Sequence, residues 1–365
     1  MPKIKIFYGS KKEFNKIIPQ NYRTLTDLVY ELDKDSKVFK IEVPSNEGNQ
    51  SKPEERPKFK NFVSSSDEYA GIREHVIINF VNFIAKFDAE NLYLHNPPLQ
   101  ISDQIKKLYP QATVIYQEYK ELTLENLIEL HKNYDKKIVG QKEVKQQLLQ
   151  SLFPLTLKNR KKPVVLLFYG KSGIGKTETA KYISELLFEP IFRKQFSMFQ
   201  NNQFSTYLFG GAHYEKSFAK DLLDRQSNVL LLDEFDKAHP SFHSAFYQLF
   251  DEGEYEDQNY SLKLEKSIII CTSNYNNLDE IEDHLGSAIF NRFDNIIHFQ
   301  DLSDEAKLEI GDNLYKSISQ DYSVKLNIDI QQRLRCSFID CDNAREIRRV
   351  IEGTLATNEI FTKIK

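Results

Sequence analysis

The chain is poor in the features that would tie it to a membrane, an oxidising compartment or a polyanion. No stretch approaches the roughly 18 consecutive apolar residues that a membrane-spanning helix requires. The opening MPKIKIFYGSKK has no long apolar core followed by a small-residue cleavage site, so no secretion signal is read there. Only three cysteines occur, Cys271, Cys336 and Cys341, with neither a C-x-x-C pair nor an even set. That argues against a disulfide framework and for a reducing compartment, each thiol reading as a small buried apolar side chain. Positive charge is not in surplus either: 49 Lys and Arg against 53 Asp and Glu give a net charge of −4. No global basic field draws the chain to nucleic acid or an anionic membrane. These absences predict a cytoplasmic protein with no membrane and no nucleic-acid partner.

What remains is the balance of a globular protein, 40% hydrophobic and 28% charged over 365 residues, long enough for two or three domains. Its organising stretch is PVVLLFYGKSGIGKTETAK, residues 163–181. An apolar run over 164–168 leads into Gly170, Lys171, Ser172, Gly173, Ile174, Gly175, Lys176 and Thr177, which fit the phosphate-loop pattern G-x-x-x-x-G-K-[ST]. Glycines let the backbone wrap tightly enough to aim N–H groups at phosphate oxygens, and a helix starting near Lys176 presents its positive end to the same anion. Lys176 would reach the outer phosphates, and the Thr177 hydroxyl would help to hold Mg²⁺, with Glu178 beside them.

Before this stretch, residues 1–120 alternate between strand and helix signals: strands over 4–8, 38–43, 91–95 and 113–116, helices over 25–32, 68–87 and 102–108. The pattern predicts a small α/β domain with some parallel sheet. Residues 44–67, rich in Ser, Pro, Glu, Lys and Asn, read as a mobile insertion rather than a core element. A helical connector over 121–135 and a second helix ending at Leu152 lead to the basic run 158–162, read as a charged loop. Strand and helix signals alternate again over 163–299, and 303–365 is mostly helical with one break around 322–329. No internal repeat is found. The expected division is therefore 1–120, 121–300 and 301–365.

Downstream, Asn228-Val-Leu-Leu-Leu-Asp233-Glu234 reads as a buried strand with two carboxylates at its C-terminal end, where open parallel sheets bind ligands. Asp233 is placed to hold the Mg²⁺ shell and Glu234 to act as general base on the attacking water. Together with Asp233-Glu-Phe-Asp-Lys-Ala-His-Pro240, Gln248-Leu-Phe-Asp-Glu-Gly253 and Ile269-Ile-Cys-Thr-Ser-Asn274, the chain from about 135 to 355 resembles the AAA+ ATPases of the Clp family of ring-forming unfoldases. It is most similar to the second ATPase module of their two-module members. Residues 1–120 resemble no named family.

The resemblance implies an α/β phosphate-loop core with a parallel sheet and a C-terminal helical lid, preceded here by the small α/β domain. It implies ATP and Mg²⁺ as cofactors and a homo-oligomer, a hexameric ring, acting on a protein client. Asn274 would be the first sensor, orienting water against the γ-phosphate, or else a strand-end cap. Arg292, in Ile289-Phe-Asn-Arg-Phe-Asp-Asn, would be the arginine finger facing a neighbour's nucleotide, or else a surface ion pair. Arg345 would be the second sensor, in a string where Asn343 replaces the usual glycine; Asn tolerates unusual backbone angles. Ile138 and Val139 would line the adenine pocket, or else belong to the core. His239 and His243, four apart on a predicted helix, could in principle share a metal, but no acid between them fits a hydrolase motif.

Two departures qualify the resemblance. In Tyr207-Leu-Phe-Gly-Gly-Ala-His-Tyr214-Glu-Lys-Ser217 the substrate-pulling loop is shortened, leaving Tyr214 as its gripping aromatic, or as a ring packed on the next helix. Between Asn274 and Arg292 there is too little chain for the loop that docks a Clp-type peptidase, so no such partner is expected. The expected activity is ATP hydrolysis used to remodel or disassemble a protein. A nucleotide-controlled assembly switch or scaffold, and a DNA-linked loader or motor, are the alternatives.

Overall fold

The computed structural model describes residues 2–36, 56–198 and 203–364, so the strand expected over 38–43 lies outside the described residues. Two compact units result. The first comprises Met1–Tyr119 with Asn202–Gln226 and Tyr255–Lys263; the second comprises Lys120–Asn201, Ser227–Glu254 and Leu264–Lys365.

Among the described residues, five strands build the main sheet of the first unit: β1 (Lys3–Tyr8), β2 (Arg23–Thr24), β3 (Lys58–Ser64), β4 (Asp88–His95) and β5 (Thr113–Tyr116). All pair in parallel, in the order β2-β3-β4-β1-β5. In β1 the alternation of lysine and isoleucine buries Ile4 and Ile6 while Lys3 and Lys5 stay exposed. Those isoleucines join Leu25, Leu28, Phe62, Phe80 and Leu94 in one core.

Two expectations fail in this unit. Residues 44–67 are not wholly an insertion, because β3 occupies 58–64 with Phe62 and Val63 buried. Its apolar half follows directly on a Pro-, Glu- and Lys-rich run, and composition taken over the whole window hid it. The single helix over 68–87 is a 3-10 turn, Glu68–Gly71, and two short helices, Glu74–Ile78 and Phe80–Ile84. Extended backbone at Ile72 and Arg73 and a non-helical Asn79 break it, next to the β-branched run Val76-Ile77-Ile78, which favours helix weakly.

The second unit carries β6 (Val164–Tyr169), β7 (Phe192–Gln195), β8 (Val229–Asp233), β11 (Ile268–Thr272) and β12 (Asn295–His298); β9 (Glu254–Glu256) and β10 (Ser261–Lys263), which belong to the first unit apart from Glu254, form a separate small pair. Its sheet is parallel, in the order β12-β6-β11-β8-β7. Every residue of β6, β8 and β11 is buried, as in a parallel sheet covered on both faces. The connector helix, Leu124–Lys137, starts at a capping box in which Thr123 and Asn126 exchange hydrogen bonds. At the C-terminal end, helices Asp304–Ile318, Ile328–Ser337 and Ala344–Ile364 close around Leu334, Phe338, Ile347, Ile351 and Leu355. The lid has a second break, 338–343, that the hydrophobic pattern did not show. Cys271 and Cys341 are buried as expected, but Cys336 is exposed. No helix among the described residues is long and apolar enough to cross a membrane.

Candidate nucleotide site

The site forms at the C-terminal edge of the second sheet. Strand β6 ends at Tyr169, and the chain turns through Gly170, Gly173 and Gly175, each at positive φ, before the helix Lys176–Leu186 begins. Glycine is required at two of these positions for space as well as angle. A Cβ on Gly170 would overlap the Phe299 carbonyl oxygen, and one on Gly173 would lie 2.9 Å from the Asn343 Oδ1.

Lys176 is buried. Its ammonium donates to the carbonyl oxygens of Gly170 and, at 2.7 Å, of Lys171, and to Asn274 Oδ1 at 3.1 Å. Burial pulls its pKa down to about 8 against the opposing pull of Asp236 and Asp233, and Arg345 lowers it further. The first-sensor candidate Asn274 thus stands beside the phosphate-loop lysine, just past the end of β11.

On β8, Asp233 Oδ1 accepts from the Thr272 hydroxyl at 2.6 Å, and Oδ2 accepts both the Nε (3.1 Å) and the Nη2 of Arg193. Glu234 sits at φ 55° and ψ 43°, a left-handed conformation uncommon outside glycine. Its N–H donates to Thr272 Oγ1 at 2.9 Å, and its Oε2 accepts from Gln195 Nε2 at 3.0 Å. Asp236, its side chain fully buried, has the Lys237 ammonium at 3.2 Å, and burial raises its pKa.

The lid reaches the same loop. Ala344 N–H donates to the Gly173 carbonyl at 3.1 Å, and Arg345 Nη1 donates to Ser172 Oγ at 3.0 Å. Asn343 is not at positive φ, so the backbone tolerance expected of it is not used. Its side chain instead accepts the N–H groups of Arg345 (3.0 Å) and Glu346 (3.1 Å), capping the last helix. Ile138, buried, approaches Gly175, and Val139 packs on the core.

The other expected residues lie on the loop helix or beyond it. Glu178 is exposed and pairs with Lys181 at 2.8 Å. Thr177 is half-buried at the second position of its helix. Arg292 donates from Nε to Asp251 Oδ2 at 2.9 Å and from Nη1 to the Ala288 carbonyl, with its guanidinium 4.2 Å from the Tyr247 ring centre. The stretch between Asn274 and Arg292 is filled by the helices Leu278–Leu285 and Ser287–Phe290. Tyr214, in the first unit, is 61% exposed and touches His213 edge-on rather than lying buried on the following helix. His239 and His243 lie at a 3-10 segment, Pro240–Phe246, not an α-helix; His243 is buried, stacked on Phe235, with Nδ1 3.2 Å from the Leu285 carbonyl oxygen.

Four residues of the site escaped the sequence reading. Arg193 and Gln195 lie two apart on β7, and so on one face of it. Thr272 sits inside the string 269–274 with nothing in the pattern to single it out. Gln141 is buried and donates from Nε2 to the carbonyls of Ile174 (3.1 Å) and Gln300 (2.8 Å), tying the loop to the end of the sheet.

Comparison with known proteins matches the same part of the chain. Residues 161–340 match the family model described as the AAA domain of the Cdc48 subfamily. That stretch is similar to an AAA domain, in keeping with the Clp-type resemblance. The chain is 27% identical over 289 residues to the chaperone protein ClpB of Mycoplasma pneumoniae, covering 70% of this chain and 40% of that protein. It is 26% identical over 300 residues to the ATP-dependent Clp protease ATP-binding subunit ClpE of Lactococcus lactis, covering 71% and 40%. The chain thus spans 40% of the length of these two relatives. A closed-state cryo-EM reconstruction of Hsp104 with ATPγS and FITC-casein superposes with a TM-score of 0.57 at 22% identity, covering 83% of this chain and 61% of that one, a likeness of fold.

Proposed function

We propose that this Clp-type module hydrolyses ATP with Mg²⁺ at an interface between copies of the chain, in a hexameric ring, and uses the cycle to remodel a protein client. The single observation that carries the reading is the ammonium of Lys176, held between the Gly170 carbonyl and Asn274 Oδ1. A lysine buried among carbonyl oxygens at the mouth of a glycine loop is a donor awaiting anionic oxygens, and the loop has the open backbone such a group needs. Bound MgATP would supply the anhydride to be cleaved and a metal to neutralise its charge.

Each residue then has a task. Lys176 and the N–H groups of 170–177 bind the phosphates; Thr177 and Asp233 would hold the metal; Glu234 takes the proton of the attacking water at its carboxylate; Asn274 orients that water. Arg345, already on Ser172, couples the lid to the loop. Arg292 acts on a neighbour's nucleotide once it leaves Asp251. Clp-named relatives described as chaperones support a protein client.

The test is ATP turnover and nucleotide binding by purified variants. Lys176→Ala should lose binding. Glu234→Gln should bind and not turn over, and its mass with ATP should rise to that of a ring. Arg292→Ala should bind normally and turn over roughly 10³- to 10⁵-fold more slowly. Unchanged turnover in Arg292→Ala would remove catalysis in trans; normal binding by Lys176→Ala would remove the site.

A second reading, a nucleotide-controlled assembly switch or scaffold, draws on the loop over 210–217, where His213 is buried with Nε2 2.8 Å from the Ile72 carbonyl oxygen. A loop that pulls a client must move, and this one is tethered. If Tyr214→Ala leaves client remodelling intact, the switch reading gains.

A further inference from the structure

The sequence shows no internal repeat, yet the two sheets have the same topology. Numbered within each unit, the strands lie in the order 2-3-4-1-5 in the first sheet and 5-1-4-3-2 in the second, which is one order read from opposite edges, and all pairs are parallel. The register makes individual residues equivalent. Phe7-Tyr8-Gly9 ends the first strand of one unit as Phe168-Tyr169-Gly170 ends that of the other. Gln117 N–H donates to the Tyr8 carbonyl at 2.8 Å, as Phe299 N–H donates to that of Tyr169 at 2.9 Å. Asn96 N–H donates to the Phe7 carbonyl at 2.8 Å, as Ser273 N–H donates to that of Phe168 at 2.9 Å. Tyr8 stacks on Tyr116, as Tyr169 stacks on His298.

Among its described residues the first unit has other residues where the second has its nucleotide machinery. Gly9 is separated from its helix, Lys11–Phe14, by Ser10 alone, whereas residues 171–175 intervene between Gly170 and Lys176. Ser64 pairs with Leu94 as Leu232 pairs with Cys271, so Ser65 and Ser66 stand where Asp233 and Glu234 stand. The backbone donors past β1 are taken by side chains of the chain itself. Gly9 N–H donates to Asn96 Oδ1 (2.9 Å), Ser10 N–H to Gln117 Oε1 (2.6 Å), and Lys11 N–H to Asp224 Oδ1 (2.7 Å). The Lys11 ammonium is paired with Asp67.

Asp224 belongs to the excursion that carries Tyr214. The same excursion is tied to the N-terminal fold again through His213 and the Ile72 carbonyl. Through Asn259, whose Nδ2 donates to the Gly211 carbonyl at 2.8 Å while its own carbonyl accepts Leu99 N–H at 2.8 Å, the tie is made a third time. We infer that the first unit is a second ATPase-type core emptied of nucleotide chemistry, which holds the 210–217 loop instead of a nucleotide.

Native mass spectrometry of the full chain with Mg²⁺ and ATPγS counts the nucleotides. One per chain is expected for wild type and none for Lys176→Ala; a nucleotide retained by Lys176→Ala and lost on adding Lys11→Ala would overturn the inference. A wild-type chain that binds none would remove the ATPase reading and leave the first unit empty as inferred. Hydrogen exchange tests the holding role. In Asp224→Ala, and independently in Asn259→Ala, amide exchange over 210–217 should rise about tenfold or more while that of the helix Lys176–Leu186 stays fixed. Unaltered loop exchange in both variants would overturn it.

Discussion

The guanidinium of Arg193, on the edge strand β7, lies against Asp233 Oδ2, the carboxylate that the proposed chemistry assigns to Mg²⁺. One oxygen cannot serve an arginine and a divalent cation equally well. In that chemistry Arg193 would be a competitor for the metal to displace, or pull aside, when nucleotide arrives. Its side chain is 41% exposed, so solvent screens the pair and the competition is modest. Arg193→Gln should lower the Mg²⁺ concentration for half-maximal ATP turnover by roughly threefold or more, read from a metal titration at fixed ATP. A requirement that rises would instead make Arg193 a support for Asp233.

Lys176 gives a pH signature. Its pKa is drawn down to about 8 by burial, below the ordinary 10.5. Between those values the folded chain binds fewer protons at this group than the unfolded chain, so its contribution makes stability rise with pH across that window and is unfavourable below it. Lys176→Met should accordingly raise the melting temperature of the nucleotide-free protein at pH 7. Phosphate oxygens favour the ammonium, so nucleotide binding above pH 8 should take up a proton and weaken as pH rises. Calorimetry in two buffers of different ionisation enthalpy reads that proton directly; no uptake at pH 9 would contradict it.

The legible parts of this chain were those whose chemistry is local. Strand, glycine loop, Lys176 and helix lie within twenty residues, and the loop's glycines at 170, 173 and 175 all take positive φ. Asp233 and Glu234 were legible because four apolar residues precede them. Arg193 and Gln195 were not, since their role follows from β7 pairing with β8 in the register that sets Gln195 opposite Asp233, a tertiary fact. The likeness of the two sheets was equally hidden. It resides in strand order and backbone hydrogen bonds, with serines at 65 and 66 where the second unit has two acids, and Phe-Tyr-Gly at the end of the first strand is a short shared string.

Asn343 separates two explanations of one substitution. If it served merely to tolerate backbone strain, glycine would be the better residue. As a cap, its Oδ1 satisfies two N–H groups at the start of the lid helix, directly over Gly173. Asn343→Ala should destabilise the fold by about 1 kcal/mol and Asn343→Gly by only a few tenths. Urea titration of the nucleotide-free chain distinguishes these outcomes, and equal stability for all three residues would dismiss the cap.

Thr272 holds both carboxylate-bearing residues at once. Its hydroxyl donates to Asp233 Oδ1 and accepts the N–H of Glu234, a residue whose left-handed backbone must be stabilised by its surroundings. It touches neither water nor phosphate in the proposed mechanism, so it is a positioning residue. Thr272→Ser keeps both bonds, whereas Thr272→Val keeps the shape and removes them. Turnover at saturating ATP should therefore fall about 10- to 100-fold in the valine variant and stay near wild type in the serine variant. Nucleotide affinity should change little in either, because Lys176 and the loop N–H groups are untouched. A structural role alone would lower stability without that split between turnover and binding. A valine variant with wild-type turnover would show that Asp233 and Glu234 hold their geometry without Thr272.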